Sequence, residues 1–195
     1  MNIIIAGCGK VGRALAEQLS KEKHDITVID LKPESIQLVT NAADVRGVVG
    51  NGASYDIQMD AGVDKADLMI AVTNADEVNL LCCLIAKKAG GCQTIARVRN
   101  PVYHHEIHHI KDELGLSMVI NPEWAAAMEM ARLLRFPSAI DIDTFANGRI
   151  ELLRFQLDDK NPLCGHKIRD LDTLSKCEVL VCIVERGNEV RIPSG

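Results

Sequence analysis

Asn2-Ile3-Ile4-Ile5-Ala6-Gly7-Cys8-Gly9-Lys10-Val11-Gly12 is a short apolar run that passes directly into a G-x-G-x-x-G turn and then into a stretch of helical period. Such a glycine pattern carries weight only between a strand and a helix, and that is where it falls. Gly7 allows the tight turn, Gly9 lets backbone approach a pyrophosphate, and Gly12 lets helix and strand pack closely. A phosphate over this turn, lined by Gly7, Cys8, Gly9, Lys10, Val11 and Gly12, would meet unpaired N–H groups and the positive end of the helix dipole. Lys10 reads equally well as a point charge near phosphate and as a solvated first-turn lysine. Asp30 closes the next apolar run 18 residues after Gly12, close to the roughly 20 expected of the acid that accepts from ribose hydroxyls. An acid there, followed by Leu31 and Lys32, repels a 2′-phosphate, so NAD or an adenosine nucleotide is expected rather than NADP.

Outward from this turn, short continuous apolar runs alternate with longer stretches of helical period, the pattern of strands buried on both faces joined by crossover helices. Six strands are predicted at Asn2–Ala6, Asp25–Ile29, Val45–Val49, Leu68–Val72, Thr94–Val98 and Ser117–Ile120, with helices of about three or four turns between them. Asn100-Pro101 and Asn121-Pro122 each place a capping side chain before a proline at the first helical position. Gly90-Gly91 and Gly115 stand where helices should end. The expected fold is α/β, a Rossmann-like doubly wound parallel sheet. Gly50-Asn51-Gly52 after the third strand and Thr73-Asn74-Ala75-Asp76 after the fourth, with Asn79 one turn on, fall where ligands of such sheets bind, and read equally as turn and cap chemistry. Arg97 and Arg99 at the fifth strand's end suit either phosphates or surface carboxylates. After a helix from Pro122 to Phe136 the pattern changes at Pro137 to β-like runs with hairpin signals at Asn147-Gly148 and Gly187-Asn188. A boundary at 137–139 is expected, dividing the chain into 1–137 and a smaller α+β lobe, 138–195, marginal for an independent core.

Composition narrows the partners. Of 195 residues 47% are apolar and 25% charged, which excludes wholesale disorder. A net charge of −5 and only six aromatic residues leave neither a basic face nor many stacking platforms for nucleic acid. The longest apolar run, Leu80 to Ala86, is far below the roughly 20 residues that cross a bilayer. Residues 1–20 lack a secretory pattern, so a cytosolic location is expected. The seven cysteines, Cys8, Cys82, Cys83, Cys92, Cys164, Cys177 and Cys182, include no C-x-x-C pair. Most lie among apolar neighbours and read as free, small hydrophobes.

These motifs together resemble a known family, the nucleotide-binding RCK or KTN regulatory subunits of potassium transporters and channels, typified by TrkA. The resemblance rests on Ile4 to Gly12 with Asp30, on Gly50-Asn51-Gly52-Ala53, on Ala71 to Asn79, on Ala96-Arg97-Val98-Arg99 and on Asn121-Pro122-Glu123. Past residue 140, Leu163 to Leu171, Val179 to Val184 and Arg186 to Glu189 resemble the family's smaller lobe. That lobe normally continues beyond Ile192-Pro193-Ser194-Gly195, so the resemblance implies an incomplete lobe and a fragment of a longer or tandem protein. It implies nucleotide contacts at Gly7, Gly9, Lys10, Val11, Asp30, Asn74 and Arg97, with NAD(H) or ATP/ADP as ligand, and a place used for divalent cations in some relatives at Glu123. It also implies a homodimer formed through the helix at about 122–136, and that helix, ending at Pro137, is the candidate hinge. Such dimers would assemble into a tetramer or octameric ring at the inner face of the cell membrane, beneath a TrkH- or KtrB-like potassium transporter subunit.

Two enzymatic readings compete. A small NAD-dependent oxidoreductase or redox sensor would share the cradle, but needs acid or base groups facing the nicotinamide, and His166 is the sole histidine after Pro137. His105-Glu106-Ile107-His108-His109 fits H-E-x-x-H, and His104 and His108 form a second i, i+4 pair, so these four histidines are metal candidates and a zinc hydrolase is the third reading. The segment sits right after a helix cap on an outer helix and has no evident third ligand, which favours an exposed His-rich surface.

Overall fold

A computed structural model of the chain describes residues 1–146, 148–171, 173 and 179–193, leaving aside the side chains of 104, 105 and 108. It divides into two compact units, Met1–Glu129 and Met130–Gly195. The first is a parallel sheet of six strands, β1 Asn2–Ala6, β2 Asp25–Asp30, β3 Arg46–Val49, β4 Leu68–Ala71, β5 Gln93–Arg97 and β6 Met118–Ile120, in the order β3-β2-β1-β4-β5-β6. The connecting helices are α1 Lys10–Lys21, α2 Pro33–Ala42, α3 Tyr55–Asp60, α4 Asp76–Gly90 and α5 Pro101–Ile110, and α6 Pro122–Arg135 follows the last strand.

The central strand shows why the run Ile3-Ile4-Ile5 is unbroken. Ile3 and Ile5 pack with Ile26, Val28, Ile36, Val39 and Ile70 on one face, together with residues of α1 and α2. Ile4 and Ala6 pack with Met69, Ala71, Cys82, Cys83 and Ala96 on the other, under α3, α4 and α5. Both faces are therefore dry, and an isoleucine as buried as Ile5 contributes about 1.5–3 kcal/mol. All six strands lie within about one residue of their predicted positions. The third crossover differs from expectation. Instead of three or four turns it is the six-residue α3 and a 3-10 turn, Val63–Lys65, separated where Gly62 takes a left-handed φ of 88°.

The helix caps follow the sequence. The Asn100 side chain accepts from the Val102 N–H at 3.0 Å ahead of α5, and Asn121 accepts from the Trp124 N–H at 2.9 Å in α6. None of α6 is buried, and the division between the two compact units falls inside it, at Glu129 and Met130. The second unit holds two antiparallel hairpins, β7 Ala139–Phe145 with β8 Ile150–Phe155 and β9 Val184–Arg186 with β10 Glu189–Arg191. The second turns at Gly187-Asn188, as its signal predicts, while Asn147 of the first lies outside the described residues, as do Cys177, Ser194 and Gly195. No helix among the described residues is long and apolar enough to cross a membrane.

Candidate functional site

In the order β3-β2-β1-β4-β5-β6 the connections reverse direction between β1 and β4, and the loops after these two strands meet. Gly7 has φ 102°, donates its N–H to the Ile29 carbonyl at 2.8 Å, and a Cβ on it would lie 2.8 Å from the Thr73 nitrogen. A Cβ on Gly12 would stand 1.8 Å from the Gly7 carbonyl oxygen. Both glycines are thus required by the protein's own packing. Gly9 is different. It is the N-cap of α1, exposed and in extended backbone, and a Cβ there would meet nothing within 4 Å. Among the described residues no side chain caps α1, so the first N–H groups of the helix, starting at Lys10 and Val11, face outward over that open space.

Asp30 is half-buried beside this turn. Its Oδ2 accepts from the Cys8 N–H at 2.7 Å and its Oδ1 from the Lys32 N–H at 2.9 Å. Each oxygen keeps a further lone pair, so the carboxylate both fixes the turn and remains able to accept from a vicinal diol. Cys8 lies under the turn with its thiol pKa pushed up to about 12, first by burial and then by the negative charge of Asp30. It is a packed, protonated group and not a nucleophile. Leu31, Lys32 and Lys10 are exposed around the rim.

The neighbouring loops are tied to the same edge. Gly50 donates its N–H to the Asp30 carbonyl at 2.9 Å, and the Asn51 side chain accepts from the Ala53 N–H at 3.0 Å. After β4, Thr73 and Asn79 bond to one another, and Asn74 is exposed. Asp76, 7% exposed, accepts from the N–H groups of Arg99 and Asn100 at 2.9 and 2.8 Å and pairs with the Arg99 guanidinium at 3.5 Å. Asn79 therefore spends its polar atoms on protein, and Asp76 gives its Oδ2 to the β5–α5 turn while its buried Oδ1 has only the ion-pair contact with Arg99 among the described residues. Arg99, past the end of β5, also donates to the Asn74 carbonyl. Arg97 reaches Glu123 of α6 at 2.6 Å, while its buried Nε meets no acceptor among the described residues. Both arginines thus have carboxylate partners.

The sequence reading missed Gln58. It is fully buried and donates to the carbonyls of Gly52 at 2.7 Å and Cys82 at 2.9 Å, stapling the β3 loop to α4. Helical phase puts Ile57, Gln58 and Ala61 inward and Met59 outward, so the apolar Met59 masks a polar residue on the buried face. The histidine segment forms α5, with Glu106 and His109 exposed; the side chains of His104, His105 and His108 lie outside the described set. Among the described residues no group of three or more His, Cys, Asp or Glu side chains converges as a metal site. An open groove of about 530 Å³ lies at the N-terminal ends of β2 and β3, lined by Lys23, His24 and Arg46 together with Asp25 and Asp44. Its charges offset each other, and it stands at the strand ends away from the glycine turn.

The sheet order, the glycine turn and the carboxylate closing β2 define a Rossmann-type α/β domain. Residues 3–122 match the TrkA-N domain model, and the chain belongs to that family. It is 37% identical over 195 residues to the Trk system potassium uptake protein TrkA homolog of Archaeoglobus fulgidus, covering 100% of this chain and 44% of that protein. The chain thus spans less than half the length of this relative. Among solved structures, the TrkA-N domain of the Escherichia coli inner membrane protein ybaL aligns with TM-score 0.60 and 25% identity over 68% of this chain and 96% of that one. The GsuK channel bound to NAD aligns with TM-score 0.52 and 20% identity over 61% of this chain and 21% of that chain, a likeness of fold. The name of the full-coverage relative is that of a potassium uptake system, not of an oxidoreductase or a peptidase.

Proposed function

We propose that the chain is the nucleotide-sensing part of a regulatory subunit of a potassium uptake system. In this reading NAD(H), or alternatively ATP or ADP, lies across the ends of β1 and β2. Its phosphates rest on the N–H groups of α1 above Gly9, and its ribose hydroxyls donate to Asp30. The observation that carries the reading is the contrast within one motif: Gly7 and Gly12 are demanded by packing, whereas Gly9 is demanded by nothing inside the protein. A residue kept without a side chain over an uncapped helix terminus is what an anionic ligand needs. The potassium-uptake name of the relative matched along the whole chain supports the system, and the NAD-bound GsuK channel supports the ligand class.

Regulation then requires the ligand to bind two conformations of the assembly unequally, because equal affinity shifts nothing. The assembly proposed is a homodimer built up into a tetramer or octameric ring on the cytoplasmic face of a TrkH- or KtrB-like transporter subunit. Calorimetric titration of the chain with NADH, NAD, ATP and ADP, with the solution mass followed alongside, tests the proposal. We expect binding without turnover, weakened at least about tenfold by Asp30→Ala, the scale of losing one or two hydrogen bonds to a charged acceptor. Absence of binding by all four at millimolar concentration refutes the reading, and unchanged affinity in Asp30→Ala removes Asp30 from the site.

A further inference from the structure

Asn79 is wholly buried in the first turn of α4, with 0% of its surface exposed. A nucleotide cannot touch it, yet it lies behind Thr73, whose backbone packs against the glycine turn. Its Oδ1 accepts from the Thr73 N–H at 2.7 Å and from the Thr73 hydroxyl at 2.7 Å. Its Nδ2 donates to the Arg97 carbonyl at 2.9 Å. One side chain thus bridges the loop after β4 and the last residue of β5, which lies 18 positions beyond Asn79 in the chain. The orientation of the amide is fixed by its partners, because a backbone N–H needs an acceptor at one end and a carbonyl needs a donor at the other.

At neutral pH asparagine has the size and the paired donor and acceptor to serve both strand ends at this place, whereas an ionised aspartate offers acceptors only. The Thr73 backbone is itself held against Gly7, since a Cβ on Gly7 would collide with the Thr73 nitrogen at 2.8 Å. At its other end Asn79 sets the backbone from which the Arg97 guanidinium reaches Glu123. Displacing the amide would therefore move the floor of the glycine turn and release its tie to the end of β5.

We infer that Asn79 is a positioning residue for nucleotide recognition, anchoring the Thr73 loop to the end of β5 and so holding it against the glycine turn on which the phosphates rest; this rests on the nucleotide-binding reading above. It differs from a packing role in that affinity, and not only stability, depends on it.

The test compares wild type, Asn79→Ala and Asn79→Asp by titration with NADH and ADP at a temperature well below every variant's melting point. Wild type binding comes first, since its failure removes the nucleotide reading and this inference together. Given binding, Asn79→Ala is expected to weaken it about tenfold, the scale of losing one buried hydrogen-bond partner. Asn79→Asp keeps the shape and guards against a variant that fails to fold. At pH 8 its carboxylate still accepts from Thr73 but has no proton for the Arg97 carbonyl. At pH 5.5 burial favours the protonated acid, which restores the donor. Asp76, Arg97, Arg99 and Glu123 stand nearby in wild type as well, so wild-type affinity over the same pH range is the baseline. We expect Asn79→Asp to be about tenfold weak at pH 8 and to return to within about threefold of wild type at pH 5.5. Affinity within twofold of wild type for Asn79→Ala, or an equal deficit of Asn79→Asp at both pH values, overturns the inference while leaving the nucleotide site standing.

Discussion

Replacing Gly9 by alanine should separate ligand binding from stability. The backbone of Gly9 is at φ −70° and ψ −167°, which any residue adopts, and the added carbon meets no atom within 4 Å. Alanine restricts the unfolded chain, a gain of about 0.4–1 kcal/mol. As a poorer N-cap than glycine it gives up a similar amount, about 0.5–1 kcal/mol. The two nearly cancel, so the melting temperature should stay within about 3 °C of wild type for a chain of this size. Binding should suffer, because the methyl group occupies the approach of a phosphate oxygen to the helix N–H groups. Forfeiting one charge-assisted hydrogen bond there costs about 1.5–3 kcal/mol, or roughly 10–100-fold in Kd. Gly12→Ala supplies the contrast: its carbon would stand 1.8 Å from the Gly7 carbonyl oxygen, so turn and helix must move apart. A cost of about 3 kcal/mol and a melting temperature lower by roughly 10 °C are expected. Thermal unfolding gives the stabilities, and calorimetry with NADH and ADP gives the affinities. A Gly9→Ala protein that binds as tightly as wild type would falsify the placement of phosphate over this turn.

Three further outcomes follow from the buried polar groups and thiols. Asp76→Ala strands the N–H groups of Arg99 and Asn100 and should lower stability by about 2–4 kcal/mol, with Asp76→Asn recovering part of it; denaturant midpoints decide. Burial pushes the thiols of Cys8 and Cys82 up to about 12, and raises Cys83 and Cys92 likewise. Above about pH 9 the unfolded chain therefore binds fewer protons than the native one, and stability should fall as pH rises, by about 1.4 kcal/mol per unit for each thiol. Cys82→Ala should remove one thiol's share of that slope between pH 9 and 11, and an unchanged slope in urea titrations would count against a protonated buried thiol.

The sheet could be read from the sequence because its strands are covered on both faces and its helix ends carry strong local signals. Ile3-Ile4-Ile5 declares a central strand, Asn100-Pro101 declares a start, and Gly91 at φ 70° declares a stop. The glycine turn and Asp30 were equally plain, since Gly7 and Gly12 answer to packing and Asp30 to the N–H groups of Cys8 and Lys32. The roles of Asp76, Asn79 and Gln58 were not legible, because polar residues near strand ends look alike whether they face a ligand or a backbone. Which of these they face depends on contacts across 18 to 24 residues, as with Asn79 to Arg97 and Gln58 to Cys82.

The pairing of β1 with both β2 and β4 bears on how the molecule is made. Ile3 faces Ile26 on one side and Leu68 on the other, so the central strand gains its second neighbour only after some 65 residues of intervening chain have been synthesised. During translation an isoleucine-rich segment must wait, half paired, for that partner to leave the ribosome, and long-range closure of this kind is slow. Gly7 acquires its neighbour Thr73 at the same late moment, so the glycine turn reaches its final packing only once β4 is in place.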